Sequence, residues 1–279
     1  MSEPMAGSVA RRMFQLLEPV HLVTFYAEEP SAALVELGLR DNYWDGYFAG
    51  RAGPLGLVPS EVVHALFYNF ADGEVARHIP RVWTVTTPEA AVVARQRGSA
   101  AALRRILGDL ADSPELANAA DLLTTAALGA PTEGRAMYAA HRALPIPDEP
   151  VARLWHAGTL LREHRGDGHI AALVTEGVGG AEAHMLHGLS EGTPARKFGR
   201  VHHLPAARLD EVVRGLQARG LLDAAEALTD EGRATKARIE AHTDRLAAAP
   251  YDALGAADLE RLEADLAPIA GRLDAVGSR

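Results

Sequence analysis

The chain has 279 residues, 48% of them apolar, which is enough for one large or two ordinary domains with a substantial core. It has no cysteine, which excludes disulfides and thiolate chemistry, and its net charge of −9 opposes non-specific attraction to nucleic acid without excluding a local basic patch. No stretch approaches twenty uninterrupted apolar residues, and the apolar patch near the N-terminus is too short and polar for a signal peptide. The expectation is a cytoplasmic protein with no membrane partner.

Ala, Leu, Arg, Glu and Gly dominate, a composition of helices broken by Gly and Pro. Residues 9–27 read as a helix from the spacing of Ala10, Met13, Leu16, Leu17 and Val20, with Pro19 expected to kink or break it. A second helix is expected from Pro30 to Leu39, stopped at Gly38. Pro59-Ser60-Glu61 then opens an apolar helix ending near Asp72-Gly73, with Ser60 as N-cap. VWTVTT at 82–87 is the best strand candidate, and further helices are expected at about 88–111, 114–128 and 132–143. Three prolines between Leu144 and Pro150 cannot lie inside a helix. The chain is therefore expected to divide into an N-terminal helical domain with a ligand pocket (1–143), a Pro-rich linker (144–150), a second domain (151–250) and a C-terminal helical tail (251–279).

Two segments carry candidate chemistry. The run 154–173, LWHAGTLLREHRGDGHIAAL, sets His156, His164 and His169 beside Arg162, Glu163, Arg165 and Asp167 in otherwise apolar surroundings. His156 and His164, eight apart, share a helix face. Gly166 and Gly168 are expected to break or kink the helix and let His169 fold back toward His164. These groups form either a buried charge network, in which Arg162 or Arg165 pairs with Glu163 or Asp167, or a site in which His156, Arg162, Arg165 and Asp167 bind a ligand and His164, His169 or Glu163 act as acid or base. His156, His164 and His169 are weak candidates for metal ligation, since their spacing matches no strong metal motif. His184 and His187 form an HxxH pair, read as surface or dimer contacts. The second segment is aromatic: seven of the 15 aromatic residues fall between Tyr43 and Phe70. They are read as core, or as the walls of a pocket with Tyr47, Arg51, Tyr68 and Asn69 as its sparse polar groups. GRAGPLG lacks the GK[ST] ending of a phosphate loop, and the sequence names no cofactor.

Residues 205–246 contain the most recognisable order: a helix at 206–219 with a buried stripe of Leu209, Val212, Val213 and Leu216, Gly220 at its end, short strands at Leu221-Leu222 and Ala227-Leu228, and Thr229 as N-cap of the next helix. With "ARGLLD…ALTDEGRA", this resembles the second half of a MarR-type winged helix, a likeness covering roughly 155–246. The phrases GYFAGRAGPLG, ALFYNF and LWHAGTLLREHRGDGH make the whole chain similar to an actinobacterial group of uncharacterised helix-turn-helix proteins. The resemblance implies an all-α, mainly helical fold with a small β-wing. A faint repeat, Glu18-Pro19-Val20 with Glu149-Pro150-Val151 and AALVELGL (32–39) with AALVTEGV (171–178), points either to two winged-helix-like units fused as a pseudo-dimer or to chance matches between Ala/Leu-rich helices.

Arg196–Arg219 is the clearly positive block, with six basic and two acidic residues. Arg196, Lys197, Arg200, Arg208 and Arg214 are the candidate DNA contacts, Asp210 and Glu211 oppose them, and His202-His203 lie in a polar loop. The resemblance implies no established activity; the leading reading is a ligand-responsive MarR-like transcriptional regulator, its effector pocket formed by the aromatic segment and the histidine-rich helix, with DNA and a small molecule as partners, as a homodimer or internal pseudo-dimer. The alternative is an enzyme on a recruited winged-helix scaffold, with His164 or His169 as acid/base and Arg51, Arg162 or Arg165 holding an anion.

Overall fold

A computed structural model of the chain describes residues 8–197 and 204–277. The described chain is mostly helical. In order, its α-helices are α1 (Val9–Tyr26), α2 (Glu28–Val35), α3 (Tyr43–Ala52), α4 (Ser60–Phe67), α5 (Pro88–Leu107), α6 (Pro114–Gly129), α7 (Ala136–Arg142), α8 (Pro150–Thr175), α9 (Gly180–Ser190), α10 (Ala206–Ala218), α11 (Asp230–Leu246) and α12 (Ala256–Gly277). Local chemistry sets many of the starts. Ser8, Asn42, Thr87 and Ser113 each accept a first-turn amide N–H of the helix that follows. Pro88, Pro114 and Pro150 stand at first helical positions, where no N–H is needed. Glu149 caps α8 by accepting from Val151 N at 3.0 Å and Ala152 N at 2.7 Å.

The chain forms two compact units. Unit 1 takes the described residues up to Val58, His78–Asp167, and those from Asp244 onward; unit 2 takes Pro59–Arg77 and the described residues of Gly168–Thr243. The chain passes between units at Val58-Pro59, at Arg77-His78, and within α8 and α11. The unit 1 core gathers Met13, Leu17 and Val20 of α1, Leu103 and Leu107 of α5, Leu116 and Leu123 of α6, Leu154 and Leu160 of α8, and Leu262, Leu266 and Leu273 of α12. The 251–279 segment thus contributes a core helix, and the Pro-rich stretch 144–150 lies inside unit 1. The unit 2 core gathers Leu173, Val178, Met185, Leu186, Ile239 and the α10 stripe Leu209, Val212, Val213 and Leu216.

Several expectations are corrected. Residues 82–87 form no strand: Arg81–Thr84 is a 3-10 turn, with Trp83 N bonded to Pro80 O and Val85 N to Val82 O. With no strand edge beside it among the described residues, the backbone satisfies itself locally. Pro19 lies inside α1 without ending it, and the carbonyl it leaves unpaired belongs to exposed Gln15. Gly166 and Gly168 do not break α8, and His169 does not fold back. Glycine in a helix costs only about 1 kcal/mol, and Asp167 between them anchors the chain by accepting from Tyr138 N at 3.0 Å.

The expected wing is a single antiparallel bridge, Leu222 with Leu228. Asp223 Oδ1 accepts from Ala225 N and Ala227 N at 2.8 and 2.9 Å, closing the turn before a ladder can extend. The pseudo-dimer is not supported. Glu18-Pro19-Val20 lies within α1, whereas Glu149-Pro150-Val151 opens α8. The second repeat marks two helix ends, each followed by a positive-φ glycine, Gly38 at 91° and Gly177 at 64°. A shared stop signal, which only glycine adopts without strain, explains that likeness.

Candidate functional site

Within unit 1, helices α1, α3, α5, α7 and α8 enclose a polar interior. Its centre is Glu163, 1% exposed. Arg51 reaches it with Nε and Nη2, both at 3.4 Å, and Arg162 Nη1 lies 3.4 Å from its Oε1. Burial raises the Glu163 carboxyl, but Arg51 and Arg162 outweigh that and hold it well below the usual range. Arg51 also donates to Tyr47 Oη at 2.9 Å, and Arg162 approaches Glu18 at 3.6 Å.

Arg95 of α5, 3% exposed, enters the same interior. Its Nε donates to Thr24 Oγ1 at 3.1 Å, its Nη1 to the Gly50 carbonyl at 3.4 Å, and its guanidinium lies 5.8 Å from the Phe25 ring and 5.2 Å from the Trp155 ring. Its Nη2 is buried with no hydrogen-bond partner. Burial lowers its pKa to about 10, against the opposing pull of Glu163. The approach needs small residues. A β-carbon on Gly50 would lie 3.0 Å from Arg95 Cδ, and one on Gly53 would lie 2.9 Å from Val92 Cγ2. The GRAGPLG phrase therefore serves close packing of α3 on α5.

Three further imidazoles are buried here. His21 Nδ1 bonds Thr159 Oγ1 at 3.1 Å, and burial, with Arg162 next, pulls its pKa well down. His141 Nδ1 donates to the Met137 carbonyl at 2.8 Å, and burial lowers its pKa to about 4. Burial likewise brings His156 to about 4. The Nε2 atoms of all three, and Trp155 Nε1, are buried without a hydrogen-bond partner. Arg95, His141, Trp155 and His156 line one small cavity of about 10 Å³, room for a single water. Arg162 and Arg165 line a second of similar size beside Phe14 and Tyr251.

The rest of the histidine run is divided. His164 is buried edge-on against Tyr138, neither ring nitrogen has a hydrogen-bond partner, and burial followed by Arg135 lowers its pKa to about 4. It lines neither cavity. Arg165 pairs with Asp244 at 2.7 Å and lies over the Phe14 ring, rather than joining Glu163 or Asp167. Burial pushes Asp167 up to about 6. His169 belongs to unit 2 and bonds Thr243 Oγ1 at 2.9 Å. Among the described residues no three His, Asp or Glu side chains are arranged to hold a metal ion.

In unit 2, Tyr68 Oη donates to the Val178 carbonyl at 2.6 Å, and Asn69 Nδ2 lies 2.6 Å from His184 Nε2. These two expected pocket residues instead hold the α4 end against α9; a β-carbon on Gly180 would lie 2.2 Å from the Tyr68 carbonyl oxygen. Of the expected DNA contacts, Arg196 is held by Glu226, at 2.7 and 2.9 Å, and by Asp210 at 2.6 Å. Arg208 pairs with Glu211 at 2.9 Å. Lys197 and Arg214 are exposed. Arg200, His202 and His203 lie outside the described residues. Thr229 caps α11, accepting from Gly232 N at 3.0 Å.

Sequence patterning does not single out Arg95, His21, His141 or Asp45. Asp45, fully buried, binds Arg40, His78 and Arg81, which outweigh burial and hold its pKa far below the usual range. Arg95 is one arginine among several in ARQRGSAAALRRIL, and only the three-dimensional packing distinguishes it from its exposed neighbours.

A helix bundle with a buried polar interior in unit 1 and a helix pair, α9 and α10, in unit 2 is the architecture on which the comparison with known proteins bears. The model of a helix-turn-helix family matches residues 10–278, and the chain belongs to that family. No curated protein and no solved structure matches it. Among the described residues no helix is long and apolar enough to cross a membrane.

Proposed function

We propose that this protein is a DNA-binding regulator whose affinity for DNA is set by a small molecule taken up in the polar interior of unit 1. Membership of a helix-turn-helix family over nearly the whole chain carries the reading. In it, α10 is the recognition helix: Leu209, Val212, Val213 and Leu216 face the unit 2 core, while Arg208 and Arg214 face outward. Lys197 and Arg214 are the cations offered to phosphate. Arg208 joins them on release from Glu211, since an exposed pair of that kind is worth less than about 1 kcal/mol. Arg196, held by two carboxylates, links Asp210 of α10 to Glu226 rather than touching DNA. The unpartnered buried polar atoms of unit 1 support the effector half of the reading. The effector binds one arrangement of the helices better and shifts the population that fits DNA.

Fluorescence anisotropy with DNA from upstream of the protein's own coding sequence tests this. Binding should weaken steeply with salt, and Lys197→Ala with Arg214→Ala should reduce the magnitude of the log–log salt slope by about two, one for each phosphate contact. Absence of binding at low salt overturns the reading.

A further inference from the structure

We propose that Glu211 is a residue with which this protein reads DNA sequence, and that it selects cytosine, accepting a hydrogen bond from the exocyclic amino group in the major groove. The inference rests on the DNA half of the proposed function and deepens it by naming a base that α10 selects.

The buried stripe of α10, Leu209, Val212, Val213 and Leu216, fixes which side chains face outward. At about 100° per residue, Ala207, Glu211, Arg214 and Ala218 lie within about 30° of the direction opposite that stripe. All four are exposed. The two alanines offer no side-chain hydrogen bond and leave room for the helix to sit deep in a groove. Arg208 lies about 90° round the helix from the centre of this ridge, on its flank, where a long cation meets phosphate rather than base. Glu211 is the carboxylate on the ridge itself.

A carboxylate at that place works against DNA binding in general, because it faces a polyanion. The fold neutralises the neighbouring acid, Asp210, which accepts from Arg196 Nη1 at 2.6 Å. Glu211 is paired with Arg208 at 2.9 Å, and the two side chains are 55% and 60% exposed. A pair this exposed opens readily. Once Arg208 turns to phosphate, the carboxylate needs another donor. Guanine presents the acceptors N7 and O6 to the major groove, and thymine presents O4; both repel a carboxylate. Adenine offers its N6 amino group beside the acceptor N7. Cytosine offers N4–H with no acceptor of its own beside it. Glu211 therefore adds little affinity and much discrimination, since it disfavours every base that does not donate to it.

The test offers the full chain a duplex library with a randomised stretch at low salt and sequences the bound fraction. Wild type should prefer cytosine at one position by about tenfold or more over each other base. Glu211→Gln keeps the length of the side chain and places a donor beside the acceptor. It should switch that position to adenine, whose N6 and N7 an amide matches, and leave the other positions unchanged. Glu211→Ala should lose the preference at that position alone and bind an alternating A·T duplex more tightly than wild type, since a negative charge has gone from the DNA-facing ridge. A wild-type motif without that cytosine, the same motif in wild type and Glu211→Gln, or preference lost at every position at once each overturns the assignment and leaves the DNA-binding reading standing. Absence of any binding at low salt overturns both.

Discussion

Glu163 and His164 are adjacent in sequence, yet burial acts on them in opposite directions. Glu163 stays charged because Arg51 and Arg162 compensate its desolvation. Replacing it with Gln leaves those guanidiniums around a neutral amide. Glu163→Gln should therefore cost about 3 kcal/mol or more in urea unfolding, the typical penalty for removing one partner of a buried pair. His164 has no compensating partner and is neutral in the fold. Its imidazole titrates near 6.5 in the unfolded chain and near 4 in the native state, so the unfolded state binds more protons between those values. Stability is present above pH 6.5 and is lost as pH falls toward 4. His164→Phe, which sacrifices no hydrogen bond, should remove about one proton from that dependence, or roughly 1.4 kcal/mol per pH unit. An unchanged slope between pH 6.5 and 4.5 would show that His164 is not neutral in the fold.

At the scale of elements, backbone proximity and capping hold the helices. Gly98 of α5 touches the α2 start: a β-carbon there would lie 2.5 Å from Pro30 Cα and 2.7 Å from the Glu29 carbonyl oxygen. Backbone cannot move aside as a side-chain tip can. Gly98→Ala should lower stability by roughly 2 kcal/mol or more, whereas Gly271→Ala on the exposed face of α12, with open space around it, should raise it by about 0.5 kcal/mol. Equal thermal midpoints for the two variants would contradict the close approach of α2 and α5. Arg135 ties α8 to the end of α11, its Nη1 and Nη2 donating to the His164 and Leu246 carbonyls, both at 2.8 Å. Lysine has no such fork, so Arg135→Lys should recover little of the stability lost in Arg135→Ala, measured by urea midpoint. The helix starts near 88 and 114, the α10 stripe and the Thr229 cap are legible in the sequence because each depends on residues within one or two turns; the N-cap expected at Ser60 is not made, since Ser60 is already the first helical residue after Pro59, and that helix ends at Phe67 rather than near Asp72-Gly73. The 3-10 turn at Arg81–Thr84 is not, because VWTVTT becomes a strand only beside another strand.

At the scale of the molecule, the titratable burden is uneven. His21, His141, His156 and His164, all with lowered pKa, belong to unit 1. Asp167 opposes them, since its carboxyl, raised to about 6, gains a proton in the native state before the unfolded one does near 3.8. The histidines outnumber it, so net stability should still fall on acidification from pH 6.5 to 4. Hydrogen exchange at pH 5 against pH 7, corrected for intrinsic rates, should show α1, α7 and the unit 1 part of α8 losing protection before α9 and α10. Loss in the opposite order would place the acid-sensitive element in unit 2.

By itself the sequence determined that the chain is helical, which face of α10 is buried, where the proline-rich stretch lies, and that 154–173 is unusual. Composition, period and capping are local properties, and they act whatever the rest of the chain does. Only tertiary structure decided what that unusual run does. It divides the run, sending His156 and Glu163 into a polar interior, His164 against Tyr138, and His169 to Thr243 in unit 2. It also brings Arg95 and His141, from helices distant in sequence, to Trp155. Desolvation and hydrogen bonding depend on every neighbour in space, and no single segment of the chain specifies those neighbours.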